Sequence, residues 1–296
     1  MDKKTIVLIN PYRGIGDLIF HLPLIRGIYK KYKTKITLIT NSANKAKFLL
    51  KNENSIKQIN YISFDRHNLI KNFFLLLKKI NDFNSDLTIS TSPSKRLIIP
   101  LVISNSKKKI FFKKNNINDL SEYIFDQTKI CFKNIKFQKN YNLIFKKKIT
   151  KNKTIFISID SHHDHNNWKE IYFIKLINNL INFKRTNKIY INFSPNKIYK
   201  FKKILKTFKK NNLILFTYKK KFSEIINIIN NCSYIIGNES GPICLGASLN
   251  KKVFSLYDPI HTPNLSSKTI NKSIIYYNFK KISANRIIKD LTNKIL

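Results

Sequence analysis

The feature that most constrains this chain is a strand–helix alternation that runs once, stops, and runs again. Short apolar runs at 5–10 (TIVLIN), 35–40 (KITLIT), 56–63 and 86–91 are separated by stretches of helical character at Asp17 to about Lys31, 43–50 and 68–80. Continuous β-branched runs bounded by turns predict strands buried on both faces of a parallel sheet. Residues 94–150 are less regular, with a strand expected at 108–112 and a helix near 119–131. A Lys- and Asn-rich segment, 133–153, holds few apolar clusters and marks a domain boundary. The cycle then restarts, with strands at 154–160, 187–193, 212–216, 233–237 and 251–257. Helices are expected at 168–182, 196–210, 222–231, 241–249 and 283–296, the last with Ser283 as N-cap and an Ile287, Leu291, Ile295 stripe. Two such arrays predict an α/β chain of two doubly wound, Rossmann-like domains, 1–145 and 146–296. The natural ligand site is a cleft between them, at the carboxyl ends of the strands.

Composition narrows the class. No apolar run approaches the ~18–20 residues of a membrane span, and the start MDKKTIVLIN reads as a first strand rather than a signal peptide. Cys131, Cys232 and Cys244 lack CxxC spacing, which argues against a disulfide scaffold and a Cys-type zinc site. A cytoplasmic protein is the expectation. Lys+Arg 56 against Asp+Glu 16 gives a net charge of +40. One source of that charge is compositional drift toward Lys, Asn and Ile; another is an anionic partner such as nucleic acid, an anionic membrane face or a phosphorylated substrate. The lysines are spread along the chain rather than gathered in one tail, which weakens the nucleic-acid reading.

Glycine is informative because it is scarce. Ordinary usage of ~7% would give about 20 glycines, and this chain has 6, in two windows: Gly14, Gly16 and Gly27, then Gly237, Gly241 and Gly246. The first window reads strand–PYRGIGDLIFHLP–helix. Ile19 stands where a GxGxxG fingerprint needs its third glycine, which disfavours a nicotinamide oxidoreductase, and no GK[ST] follows to make a P-loop. Asp17 fits either a first-turn acid favoured by the helix dipole or a carboxylate held ready to take a proton. Pro23 is expected to bend the helix, and His21, one turn past Asp17, to line the acceptor side. The second window, strand–GNESGPICLGA–helix, places Ser240 and free backbone amides at a helix N-terminus with Pro242 at its first position. It is either an ordinary turn capped by Ser240 or an anion site suited to a diphosphate. His162, His163 and His165 with Asp164 lie in the loop after the strand at 154–160. Their spacing suits a solvated loop, or contacts to phosphates or acceptor, better than one metal ion. His67 and His261 read as surface residues.

Taken together, the windows resemble the heptosyltransferase family of glycosyltransferases, glycosyltransferase family 9. The motifs are Gly16-Asp17 with Pro23, then Gly237-Asn238-Glu239-Ser240-Gly241-Pro242 with Ala247, then Tyr257-Asp258-Pro259, and Trp168 after the loop 161–167. The resemblance implies the GT-B fold, two Rossmann-like domains facing each other across a cleft, with a final helix, 283–296, that returns to the first domain. It implies an inverting, metal-independent enzyme with no cofactor. The donor would be a nucleotide sugar, typically ADP-heptose, and the acceptor a phosphorylated saccharide–lipid of the lipopolysaccharide core. Asp17 would be the base and Gly14, Gly16 and His21 would lie on the acceptor side. Glu239, Ser240, Gly241, Pro242, Cys244, Ser161, Trp168 and Lys169 would contact the donor. The charge would hold the enzyme on the anionic cytoplasmic face of the inner membrane, and no specific nucleic-acid partner is expected.

The chain departs from the family pattern at four positions. Glu239 replaces an Asp, Cys244 a His, Asn166 the Lys two residues before Trp168, and Lys169 the Pro after it. Lys169 or a histidine of the 161–167 loop would supply the missing positive charge. These changes leave open a catalytically weak or differently specific member. A basic nucleic-acid-binding protein is the more distant alternative.

Overall fold

The computed structural model describes residues 4–64, 68–117, 119–133, 138–146, 153–161, 167–182, 186–257, 270, 275–278 and 282–295. Two compact units divide between Ile144 and Phe145. The division has a local cause. Arg26 donates to the carbonyls of Asn140 and Asn142, and Asn52 to that of Ile144, which ties the connecting strand of chain to the first unit. Two residues on, the Lys146 carbonyl accepts from Asn230 of the second unit.

The first unit holds β1 (Ile6–Asn10), α1 (Ile15–Phe20), α2 (Leu22–Tyr32), β2 (Ile36–Thr40), α3 (Ala46–Leu49), β3 (Ile56–Tyr61), α4 (Leu69–Asp82), β4 (Leu87–Ser90), α5 (Lys95–Ile103), β5 (Lys108–Phe111) and α6 (Leu120–Cys131). Its sheet is parallel throughout, in the order β3-β2-β1-β4-β5. The central strands are buried at every residue, as their unbroken apolar runs require. Val7, Ile9 and Ile39 of the sheet pack on Leu76 and Ile80 of α4 and Leu97 of α5.

The second unit holds β6 (Thr154–Ser158), α7 (Glu170–Ile181), β7 (Lys188–Asn192), a 3-10 turn at Pro195–Phe201 that runs into α8 (Lys202–Phe208), and β8 (Ile214–Phe216). It continues with α9 (Phe222–Asn231), β9 (Tyr234–Asn238), α10 (Gly241–Ser248), β10 (Lys252–Tyr257), β11 (Ile275–Asn278) and a last helix, here α11 (Ala284–Ile295). The parallel order is β11-β10-β9-β6-β7-β8. Both sheets thus reverse direction beside their first strand, at β1/β4 and at β6/β9. Such switch points are where doubly wound sheets bind ligands.

Three local differences from the sequence reading have physical reasons. The first helix breaks at His21 and restarts as α2, with Pro23 in its first turn where a missing N–H does no harm. Residues 95–103 form α5 despite Pro100, and β11 adds a sixth strand from the short run IIYY, which lies outside the expected alternation. The last helix packs on α7 through Ala284 and Ile287, with Asn179 donating to Asn285.

Gly237 explains one glycine of the second window outright. Its φ is +152°, and it pairs with Ser158 across β6/β9 so closely that a Cβ would stand 2.0 Å from the Ser158 carbonyl oxygen.

Candidate functional site

Each unit holds a candidate recess at the switch point of its own sheet. In the first unit, β1 ends at Asn10 and the chain turns through Pro11–Gly14 into α1. Asp17 is the third residue of that helix. Its Oδ2 accepts the Gly14 backbone N–H at 3.0 Å, closing the first turn as a capping acid. The same residue lines a recess of about 390 Å³ with Tyr12, Pro93, Lys114, Asn115, Leu120 and Tyr123. One side chain thus caps the helix and also lines a recess. Burial pushes its carboxyl above the usual range, and the Gly14 bond opposes part of that rise. Tyr12 is pushed up to about 12 by burial and by the neighbouring Asp17 charge.

His21 differs from expectation. It is fully buried and presents no surface to a ligand. Its Nδ1 lies 2.7 Å from the Asp17 carbonyl oxygen, which can only accept, so the ring proton is on Nδ1. Nε2 then faces the Thr91 hydroxyl at 2.9 Å, and burial lowers the ring to about 4, keeping it neutral. Tyr12 stacks at an angle on the ring and donates to the Thr91 carbonyl. His21 is therefore the tie between α1 and the end of β4, bonded to the main chain of Asp17 and to Thr91. Gly16 is part of α1. Gly14 has ordinary extended backbone, and its value is close approach, since a Cβ there would meet Asp17 Oδ2 at 2.6 Å.

In the second unit, a polar recess of about 360 Å³ is lined by Asp160, Ser161, Asn192, Ser194, Lys197, Ser240, Gly241 and Pro242. Ser240 stands at the N-cap position of α10, yet its side chain makes no capping bond; its Oγ lies 3.2 Å from Ser158 Oγ instead. The N-terminal amides of α10 are thus left to the recess, with Pro242 in the first turn. Lys197 reaches the Ser161 carbonyl at 2.6 Å, and Asp160 accepts the Ser194 N–H at 3.0 Å, which fixes the loops after β6 and β7 against each other.

Glu239 is held rather than loose. Its Oε2 accepts from Ser255 Oγ at 2.5 Å and its Oε1 from Cys244 Sγ at 3.6 Å. Cys244 thus reaches the acid of the turn, although it is itself buried. Asn238 belongs to the Gly237–Pro242 motif, and the sequence assigns it no role of its own. Its Oδ1 accepts the Trp168 N–H at 2.9 Å and its Nδ2 donates to the Ile159 carbonyl at 2.8 Å, locking β9 to the loop after β6. Trp168 is 2% exposed and packs on Tyr172 and Phe173, so it belongs to the core and offers no face to a donor. Lys169 is exposed at the start of α7 and is not among the residues lining the recess. His67, His162, His163, Asp164, His165, Asn166, Asp258, Pro259 and His261 lie outside the described residues. Among the described residues no cluster of three or more His, Cys, Asp or Glu could hold a metal ion.

Lys197, Tyr12 and Thr91 are site neighbours that the sequence did not reveal. A lysine in a chain with 56 Lys and Arg carries no signal of its own. The chain neighbours of Tyr12 and Thr91 say nothing of a contact across 79 residues.

Comparison with known proteins places this geometry. The description "Glycosyltransferase family 9 (heptosyltransferase)" matches residues 108–291. No curated protein sequence matches the chain. A glycosyltransferase family 9 structure from Veillonella parvula DSM 2008 superposes with a TM-score of 0.78 at 15% identity, covering 97% of this chain and 96% of that one. E. coli ADP-heptose LPS heptosyltransferase II gives 0.76 at 13% identity, covering 98% of each. E. coli heptosyltransferase WaaC, solved with ADP, gives 0.74 at 11% identity, covering 98% of this chain and 99% of that one. These likenesses show the GT-B fold. With the family match spanning more than half its length, the chain belongs to glycosyltransferase family 9 and is a glycosyltransferase.

Proposed function

We propose that this glycosyltransferase moves a heptose from ADP-heptose to a phosphorylated saccharide–lipid acceptor of the lipopolysaccharide-core type. The observation that carries the reading is Asp17, a carboxylate raised by burial, lining a recess at the switch point of the first sheet. Burial that raises a carboxyl makes it a stronger base toward a hydroxyl proton than an exposed carboxylate is. The donor and acceptor classes are supported by the family match and by the ADP-heptose LPS heptosyltransferase among its structural neighbours.

The acceptor hydroxyl attacks the anomeric carbon of the donor. Its proton passes to the Asp17 carboxylate, and the bond from the anomeric carbon to the diphosphate oxygen breaks. The nucleoside diphosphate leaves with the electron pair. The α10 amides at Gly241 and Ile243, the Ser240 hydroxyl and Lys197 meet the charge that develops on it. A single displacement inverts the anomeric centre. Glu239, oriented by Ser255, binds donor hydroxyls. Gly14 positions Asp17, and Asn238 positions the loop that carries Ser161. No metal or cofactor takes part in this scheme. The net charge of +40 holds the protein on an anionic membrane face where the acceptor resides.

A donor other than ADP-heptose is the second reading. It is favoured by the Cys244–Glu239 contact, which occupies the turn where the family pattern has His and Asp. A thermal-shift panel of nucleotide sugars separates the two, because a ligand that binds only the folded state raises Tm. The expected result is stabilisation by ADP-heptose and transfer to a heptose-free core acceptor. Stabilisation by a different nucleotide sugar selects the second reading. Indifference to every nucleotide sugar, with salt-sensitive RNA or DNA binding, overturns both.

A further inference from the structure

The outward face of α4 and α5 is apolar where the outer face of a doubly wound unit is ordinarily polar. On its inner side α4 buries only Leu76 and Ile80. On its outer side Ile70 is 77% exposed and Phe74, one turn on, 61%. The adjoining α5 repeats the pattern, with Ile99 51% and Ile103 56% exposed, again one turn apart. Scattered exposed apolar residues are normal, but two neighbouring helices with paired stripes form a patch. Exposed Lys71 and Lys78 border it on α4, and Lys95 and Arg96 at the start of α5. The one acid within the two helices is Asp82, in the last turn of α4.

A second feature joins this face to the candidate site. Between the N-terminal halves of the helices lies an apolar recess of about 170 Å³, lined by Phe64, Leu69, Phe73 and Leu97 with Arg96 at its rim. Ser92 and Ser94 line this recess, while Pro93 between them lines the recess of Asp17. The turn 92–94 therefore separates the two recesses by the width of one turn.

We propose that the α4–α5 face is the seat of this protein on an anionic lipid bilayer. Ile70, Phe74, Ile99 and Ile103 enter the headgroup boundary, and the bordering cations meet anionic headgroups. The charge argues for lipid over a second copy, since two such faces brought together would oppose cation to cation. Among the described residues no helix is long and apolar enough to cross a membrane, so the seat is interfacial. The inference rests on the membrane part of the reading above and deepens it by naming the face.

The test is co-sedimentation with vesicles of phosphatidylcholine alone and of phosphatidylcholine with phosphatidylglycerol, without donor or acceptor. The variants are Ile70→Ser/Phe74→Ser, which leaves the net charge unchanged, and Lys71→Gln/Lys78→Gln. All four side chains are exposed, so Tm serves as a check that folding is intact. The wild type is expected to bind the anionic vesicles far better than the neutral ones. The apolar pair is expected to weaken that binding at least about tenfold, and each lysine removed by roughly fivefold. Wild-type binding by the Ile70→Ser/Phe74→Ser variant overturns the face but leaves charge-driven membrane attachment standing. Failure of the wild type to bind anionic vesicles overturns both. A wild-type dimer that the apolar pair dissolves, with vesicle binding unchanged, assigns the face to a second copy and likewise overturns the proposal.

Discussion

Gly14 and Asp17 are fitted to each other: the Gly14 N–H donates to Asp17 Oδ2 at 3.0 Å, and a Cβ on Gly14 would stand 2.6 Å from that oxygen. Glycine here leaves room for a carboxylate, since the backbone itself is in an ordinary conformation. Gly14→Ala must displace the carboxylate, which can swing, so the fold survives and the geometry does not. Transfer is expected to fall by about a hundredfold, the usual cost of an ångström-scale misplacement. Donor affinity and Tm are expected to stay near wild type. A Gly14→Ala enzyme of full activity would remove Asp17 from the chemistry or free it from this constraint.

The folded chain holds the Asp17 proton more tightly than the unfolded chain does, because burial penalises the ionised form. Its ionisation therefore costs stability as pH rises from the ordinary carboxylate range through the raised folded value. Asp17→Asn is expected to raise Tm at pH 7 and to lose that advantage below about pH 4, where the unfolded carboxyl is also protonated. The acid limb of the wild-type rate profile is expected above the ordinary carboxylate range. Thermal melts and rates across that span check both.

His21 works in the opposite sense. Its folded value of about 4 lies below the unfolded one of 6.5, so the stability from its neutral, buried state is complete above about pH 6.5 and is lost as pH falls toward 4. The full effect is on the order of 3 kcal/mol. Denaturant melts from pH 7 to 4 are expected to show this loss in wild type. His21→Gln is expected to flatten it from a lower starting stability. An equal slope in both proteins would show that other groups carry the acid sensitivity.

Lys197 lies at the recess lined by the start of α10. Lys197→Ala is expected to weaken nucleotide-sugar binding by about tenfold or more, the loss of one charge-assisted contact. Lys200→Ala, on the same 3-10 turn and exposed, is expected to change it little. Titration calorimetry of both variants distinguishes a specific contact from a general effect of charge.

The strand–helix order was legible because strands buried on both faces leave unbroken runs such as IVLIN and ITLIT. The helix over Pro100 was not, since a proline argues against a helix interior, and the strand Ile275–Asn278 comes from a short run, IIYY, outside the regular alternation. Glycine scarcity pointed to both recesses: Gly237 meets a backbone contact that no Cβ fits, and Gly14 leaves room for the Asp17 carboxylate. Residue type was a poorer guide to exposure. Trp168 and His21 stand in motif-like positions, yet both are buried and act by holding loops or helices in place. Asn238 does most of that holding in the second unit, and a single polar residue at a strand end gives no warning of three partners.

The central claim is that Asp17 takes the acceptor proton during transfer. The most direct measurement is single-turnover transfer from ADP-heptose by wild type and Asp17→Asn, with donor affinity measured on the same proteins. Asn keeps an oxygen for the Gly14 N–H and the shape of the side chain, but it cannot accept the proton. The account predicts unchanged donor affinity and a transfer rate lower by about a hundred- to ten-thousandfold. Transfer by Asp17→Asn at the wild-type rate, with donor bound equally well, would contradict it.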